Sequence, residues 1–155
     1  MQGLYIASTH PRSGKTLVSC SLGVLLQRKG YKLGYMKPIG EILKRVEAGN
    51  GDADAIIVQE VLGQYAPPEV PTPVMIPSWS ELILTQTEGY AEQRLEAVKK
   101  SYAELSAGKD LMLVSGVGSA PFSGSFAGLD DMTLVTELDL KVVLVERYEG
   151  GVNYD

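Results

Sequence analysis

The chain has 155 residues, 45% of them hydrophobic and 21% charged, which is enough for one domain with a real core and too few for two comfortable ones. Its net charge of -5 argues against nonspecific binding to nucleic acid or to an anionic membrane surface, since both need a basic face, but leaves room for a local basic pocket. A single cysteine, Cys20, cannot form an internal disulfide, no segment approaches the ~18 consecutive apolar residues of a membrane span, and the N-terminus lacks a secretory pattern, so a reducing cytoplasm is the simplest expected setting.

Gly3-Leu4-Tyr5-Ile6-Ala7 is a short apolar run ending in small residues, which predicts a buried strand. A loop through Ser8 to Ser13 follows, then a helix from about Lys15, with Val18, Leu22 and Leu25 at helical spacing and Gly30 ending it. Lys32 to Pro38 reads as a second strand. Asp52 to Leu62 carries Ala55, Ile56, Val58, Val61 and Leu62 at helical spacing, and Gly63 closes that helix.

Pro67, Pro68, Pro71, Pro73 and Pro77 argue against regular structure over much of 65–78, which is either an ordered surface connection or a flap, with Trp79 as a local packing anchor. A long helix is expected over about 88–107, where Ala91, Leu95, Val98, Tyr102 and Leu105 form a stripe that suits either the sheet or a second copy of the chain. Leu111-Met112-Leu113-Val114 reads as a strand covered on both faces. A Gly/Ser-rich loop over 116–128, a short helix near 129–138 and the strand Val142-Val143-Leu144-Val145 complete the pass.

Strands alternating with helices predict an α/β fold, a three-layer arrangement with a mainly parallel sheet and helices on both faces. The chain stops about ten residues after a central-type strand, so residues 1–155 are expected to form a single domain that is either a piece of a longer polypeptide or a compact variant.

Gly14-Lys15-Thr16, between a predicted strand and a predicted helix, has the context of a phosphate-binding P-loop. Backbone N–H groups and a helix N-terminus present positive potential to β- and γ-phosphates. Gly14 lets the backbone come close, Lys15 adds a cation, and the Thr16 hydroxyl suits Mg2+. The usual G-x-x-x-x-G-K-[ST] pattern is not met, because Thr9 stands where its first glycine belongs. A chance Gly-Lys-Thr in a turn is the alternative.

Ser8 to Thr16 resembles the phosphate loop of dethiobiotin synthetase, with Ser8 in place of its first glycine. Tyr35-Met36-Lys37-Pro38-Ile39-Gly40 is similar to that family's Tyr-Lys-Pro segment, and Asp52-Ala53-Asp54-Ala55 to its Asn-Ser-Asp-Ala segment. Leu113 to Gly118 resembles Val-Glu-Gly-Ala-Gly, and Leu138 to Asn153 a stretch running to Gly-x-x-Asn. The resemblance is to the wider superfamily, with cobyrinate a,c-diamide synthase and the N-terminal domain of phosphotransacetylases. The Ser-Thr start of the loop and the ending at 148–154 look most like the last branch.

The resemblance implies ATP and Mg2+ as cofactors, held by Ser8, Thr9, Arg12, Ser13, Gly14, Lys15, Thr16 and Gly116. It implies Lys15 and Lys37 as the residues that would act on the transferred phosphoryl group, Thr16 and Asp54 as metal ligands, and a homodimer. For Lys37 the alternative is a solvated strand-end lysine, and for Asp54 a helix N-terminal carboxylate favoured by the macrodipole.

Ser115 departs from the pattern, since the family places a glutamate there as a second metal ligand and a serine hydroxyl is a far poorer one. Glu41 stands near a position that is a small serine in the family, and its carboxylate would repel a carbamate. His10 lacks the Cys/His neighbours of a zinc site, and Cys20 is expected as a small core residue. The expected function is a nucleotide-binding regulatory or sensing module of phosphotransacetylase-like type. The alternative is an ATP-dependent ligase that activates a carbamate or carboxylate, with a small carboxylate or amine as substrate.

Overall fold

A computed structural model of the chain describes residues 2–76, 89–118 and 129–147. Four strands form a parallel sheet in the order β2-β7-β1-β8, with β1 at Gln2–Ser8, β2 at Leu33–Met36, β7 at Leu111–Ser115 and β8 at Leu140–Val145. Helices α1 (Lys15–Arg28) and α2 (Ala53–Leu62) follow β1 and precede the long helix α3 (Tyr90–Ser106), and the short helix α4 (Asp131–Glu137) leads into β8. The expected α/β fold with a mainly parallel sheet and helices on both faces is what the chain forms.

The two faces are read off alternate residues of the strands. Leu33, Tyr35 and Leu113 pack with Ala55, Val58 and Leu62 of α2 and with Cys20, Leu22 and Leu26 of α1. Met36, Met112 and Val114 face the other way, with Val98, Leu95, Tyr102 and Leu105 of α3 and Leu134 of α4. The α3 stripe is therefore used within the chain, against the sheet. Gly34 permits the close approach: a Cβ there would lie 2.2 Å from Met112 Sδ and 2.7 Å from the Leu105 carbonyl oxygen.

Two expectations are corrected. The buried side of α1 runs through Ser19 and Gly23, while Leu25 is half exposed, because small residues let α1 lie close to α2 and the sheet. Strand β8 is not a central strand among the described residues: it pairs with β1 only, and Val142 and Leu144 are 50% and 58% exposed. The proline-rich stretch is irregular over most of its described part, as expected, and within it β6 (Val74–Met75) pairs in parallel with β3 (Ile39–Gly40). Prolines lack an N–H but still accept: Lys37 N–H donates to Pro71 O at 2.8 Å and Val74 N–H to Pro38 O at 3.2 Å.

An antiparallel hairpin of β4 (Leu43–Val46) and β5 (Gly49–Asp52) precedes α2. Its strands, Leu-Lys-Arg-Val and Gly-Asn-Gly-Asp, lack apolar alternation, so no periodic signal announced it. Pro77, Trp79, Glu88 at the start of the expected 88–107 helix, Gly124, Gly128 and the 148–154 ending lie outside the described residues. No helix among the described residues is long and apolar enough to cross a membrane.

Candidate functional site

The parallel register brings the C-terminal ends of three strands together: Ile6 of β1 lies opposite Ser115 of β7, and Met36 of β2 opposite Val114. Ligands of open α/β sheets bind in the crevice beyond these ends. A cavity of about 490 Å³ opens there, walled on one side by Arg12, Gly14, Lys15 and Thr16 and on the other by Lys37, Glu41, Ile42 and Asp54. Tyr35, Ser115, Gly116 and Gly118 form its floor.

The phosphate-loop wall is built by backbone conformation. Arg12 and Gly14 take left-handed φ values of 60° and 98°, the kind of backbone conformation from which anion-binding nests are built. Gly14 caps α1 without any side-chain hydrogen bond, and the first turn of that helix carries no acidic residue. Its first N–H groups thus stay available to an anion, which the helix dipole also favours.

Side chains brace this loop from behind. Ser8 is buried, with Oγ 2.8 Å from His10 O and 3.1 Å from Gly118 O. Lys15 Nζ donates to Ser8 Oγ at 2.7 Å and to Gly118 O. Ser13 Oγ donates to His10 O at 2.8 Å, and Thr9 Oγ1 donates to Glu146 Oε2. Ser8, Thr9 and Ser13 are absent from the cavity wall, so their hydroxyls shape the loop from outside the cavity. His10 Nδ1 lies 2.9 Å from Thr9 Oγ1 and 3.3 Å from Glu146 Oε1. Burial pushes the Lys15 ammonium down in pKa, Asp131 opposes this and Lys37 adds to it.

On the opposite wall Lys37 follows directly after β2 and is buried, with Nζ 2.7 Å from Asp52 Oδ1 and 3.2 Å from Asp54 Oδ2. It is an ion-paired lysine and not a solvated strand-end one. Asp52 caps α2, Oδ1 accepting from the N–H of Asp54 at 2.9 Å and Ala55 at 3.1 Å. Burial alone would raise the Asp52 carboxyl, but the Lys37 ammonium and the N–H groups of Ile42 and Glu41 outweigh it, and its pKa falls. Asp54 sits in the first turn, its side chain 37% exposed with one oxygen bound to Lys37. Asp54 is thus a helix-end carboxylate that also borders the cavity.

Ser115 is buried, with Oγ 2.8 Å from Ser19 Oγ and accepting from Tyr35 OH at 3.2 Å. The hydroxyl where the family pattern carries an acid therefore belongs to a buried network joining α1, β2 and β7. Behind Gly116, Tyr5 OH donates to Asp131 Oδ1 at 2.8 Å, while the buried Asp131 Oδ2 has no hydrogen-bond partner among the described residues. Burial raises the Asp131 carboxyl to about 6, against the opposing Tyr5 bond and Lys15 charge.

The donor set fits Mg2+. This ion takes one or two carboxylates and the oxygens of a bound phosphate in place of an all-protein cage. Thr16 and Asp54 offer a hydroxyl and a carboxylate on facing walls of one cavity, whereas both oxygens of Asp52 are already committed. Sequence reasoning missed Asp52, Tyr35 and the Tyr5–Asp131 pair. For Asp52 a signal existed: an acid immediately before an apolar helix is an N-cap pattern.

Fold and site together define a P-loop α/β domain. Residues 2–153 match the model of an AAA domain family (AAA_26), and the chain belongs to this family. It is 29% identical over 147 residues to an ATP-dependent dethiobiotin synthetase BioD of Xylella fastidiosa, an alignment covering 94% of the chain and 64% of that relative. The enzyme of the same name from Methanococcus vannielii is 29% identical over 154 residues, 97% of the chain and 68% of the relative. A phosphate acetyltransferase of Pseudomonas putida is 26% identical over 152 residues, 98% of the chain and 20% of the relative. The chain spans about 64% of the Xylella enzyme's length.

Proposed function

We propose that this domain binds ATP with Mg2+ and serves as a nucleotide-sensing or regulatory module of phosphotransacetylase-like type. The observation that carries the reading is one cavity that unites the uncapped N-terminus of α1 and Lys15 with the Lys37–Asp54 pair. In it, the N–H groups around Gly14 and the Lys15 ammonium would hold the β- and γ-phosphates, and Thr16 and Asp54 would hold the metal, which neutralises phosphate charge. The hydrogen-bonded Ser115 favours binding over transfer, because a second acid is missing from the strand end.

Isothermal titration with ATP and ADP, with and without Mg2+, tests this. Mg2+ should strengthen ATP binding, and Lys15→Ala should weaken it at least about tenfold, the worth of one charge-assisted hydrogen bond. Unchanged affinity in Lys15→Ala would sink the P-loop assignment.

A second reading is favoured by the same Lys37–Asp54 pair and by the similarity to dethiobiotin synthetases: an ATP-dependent ligase that activates a carbamate. Mg2+-dependent phosphate release that requires diaminopelargonic acid and bicarbonate would overturn the regulatory proposal in its favour.

A further inference from the structure

The carboxylate of Asp52 is wholly buried, and five donors converge on it. Oδ1 accepts from Lys37 Nζ at 2.7 Å and from the N–H of Asp54 and Ala55, and Oδ2 accepts from the N–H of Glu41 at 2.9 Å and Ile42 at 3.1 Å. The donors come from three segments: the residue after β2, the approach to the β4–β5 hairpin, and the first turn of α2. Each of them carries a residue of the cavity wall, namely Lys37, Glu41 with Ile42, and Asp54.

An ammonium has three N–H donors, and Lys37 directs two at carboxylates. Among the described residues the third has no protein acceptor, although the side chain is only 6% exposed and borders the cavity. A buried cation held at a cavity wall with one donor to give is arranged for an anionic oxygen that enters later. Two carboxylates also restrain its rotamers, so little flexibility is lost when that oxygen binds.

We propose that Asp52 is a positioning residue: it sets Lys37 at the cavity wall so that the protein prefers a nucleoside triphosphate to a diphosphate. The proposal rests on the nucleotide-binding reading above. Asp52 does not touch the nucleotide; it acts through Lys37, whose free N–H meets the terminal phosphate.

The test is a cycle of Asp52→Asn, Lys37→Met and the double variant, with dissociation constants for Mg·ATP and Mg·ADP measured on each and folding checked by circular dichroism. Asp52→Asn should lower the ATP preference about tenfold, the worth of one charge-assisted hydrogen bond, while ADP affinity stays near wild type. In the Lys37→Met background it should lower that preference no further. An unchanged ATP preference in a folded Asp52→Asn protein, or additive effects in the cycle, overturns the proposal.

Because a buried N-cap carboxylate is also structural, a measurement on the ligand-free wild type stands beside the cycle. Nitrogen-15 lysine spectra should show the Lys37 ammonium with slowed proton exchange relative to the other lysines. A Lys37 signal exchanging as fast as theirs refutes the positioning whether or not Asp52→Asn folds. This spectrum needs no nucleotide, so failure of the wild type to bind ATP would count against the proposed function and be separable from failure of the Asp52 assignment.

Discussion

Ser115 ends β7 and Asp131 reaches the residue after it, its Oδ2 3.1 Å from where a Cβ on Gly116 would lie, and each makes a different demand on its surroundings. Ser115→Ala would leave the hydroxyls of Ser19 and Tyr35 without their shared partner in a buried setting. We expect a loss of about 1–3 kcal/mol, the cost of stranding buried polar groups, read as a lower urea midpoint, with ATP affinity unchanged. A matching loss of ATP affinity would show that the hydroxyl acts on the ligand.

Asp131 behaves oppositely with pH. Its folded carboxyl is raised to about 6 from 3.8, so the folded state holds the proton more tightly than the unfolded chain. The stabilisation is complete below about pH 3.8 and is lost as pH rises through about 6. Its size is at most about 3 kcal/mol, at about 1.4 kcal/mol per unit. Asp131→Asn, which keeps the bond from Tyr5 and removes the charge, should therefore raise Tm at pH 8 by several degrees and by little at pH 4. Equal shifts at both pH values would contradict the assignment of that proton.

At the scale of elements, packing overrode periodicity where small residues met. The apolar spacing in α1 pointed to Leu25, yet the buried side runs through Ser19 and Gly23, because a helix seated close against a sheet and a neighbouring helix has no room for leucine there. For α3 the spacing and the structure agree, since Leu95, Val98, Tyr102 and Leu105 all meet the core. At Gly34, β2 comes so close to α3 that an added Cβ would lie 2.7 Å from the Leu105 carbonyl oxygen. Gly34→Ala would press a methyl group into the Leu105 carbonyl, and since backbone cannot swing aside we expect about 1–3 kcal/mol of destabilisation by chemical denaturation. Strand β8 shows the reverse case: its apolar run resembles a covered strand, yet among the described residues it pairs with β1 only.

For the whole molecule, the proposed ligand must link three strand ends, the loop before α1 and the turn into α2, so binding and folding are coupled. Mg·ATP at a hundred times its dissociation constant should stabilise the protein by about 2.7 kcal/mol. For a domain of this size that corresponds to a Tm rise of about 5–11 °C. A thermal scan should show the full rise in wild type and, with affinity about tenfold weaker, no more than about half of it in Lys15→Ala at the same concentration. An equal rise in both would place the nucleotide away from the loop.

The local part of the candidate site was legible in the amino acids themselves. Gly14-Lys15-Thr16 between an apolar run and a helix implies positive potential at a helix start, because nearest-neighbour chemistry and backbone geometry suffice for it. The alternation of strands and helices likewise determined a parallel α/β fold, since hydrophobic period and loop length constrain the layers. Only the tertiary structure decided which polar side chains meet across the chain. Lys37 to Asp52, Ser115 to Tyr35 and Ser19, and Tyr5 to Asp131 are pairs separated by 15 to 126 residues. Whether a buried polar group reaches a partner depends on strand register and helix approach, and no local spacing encodes either one.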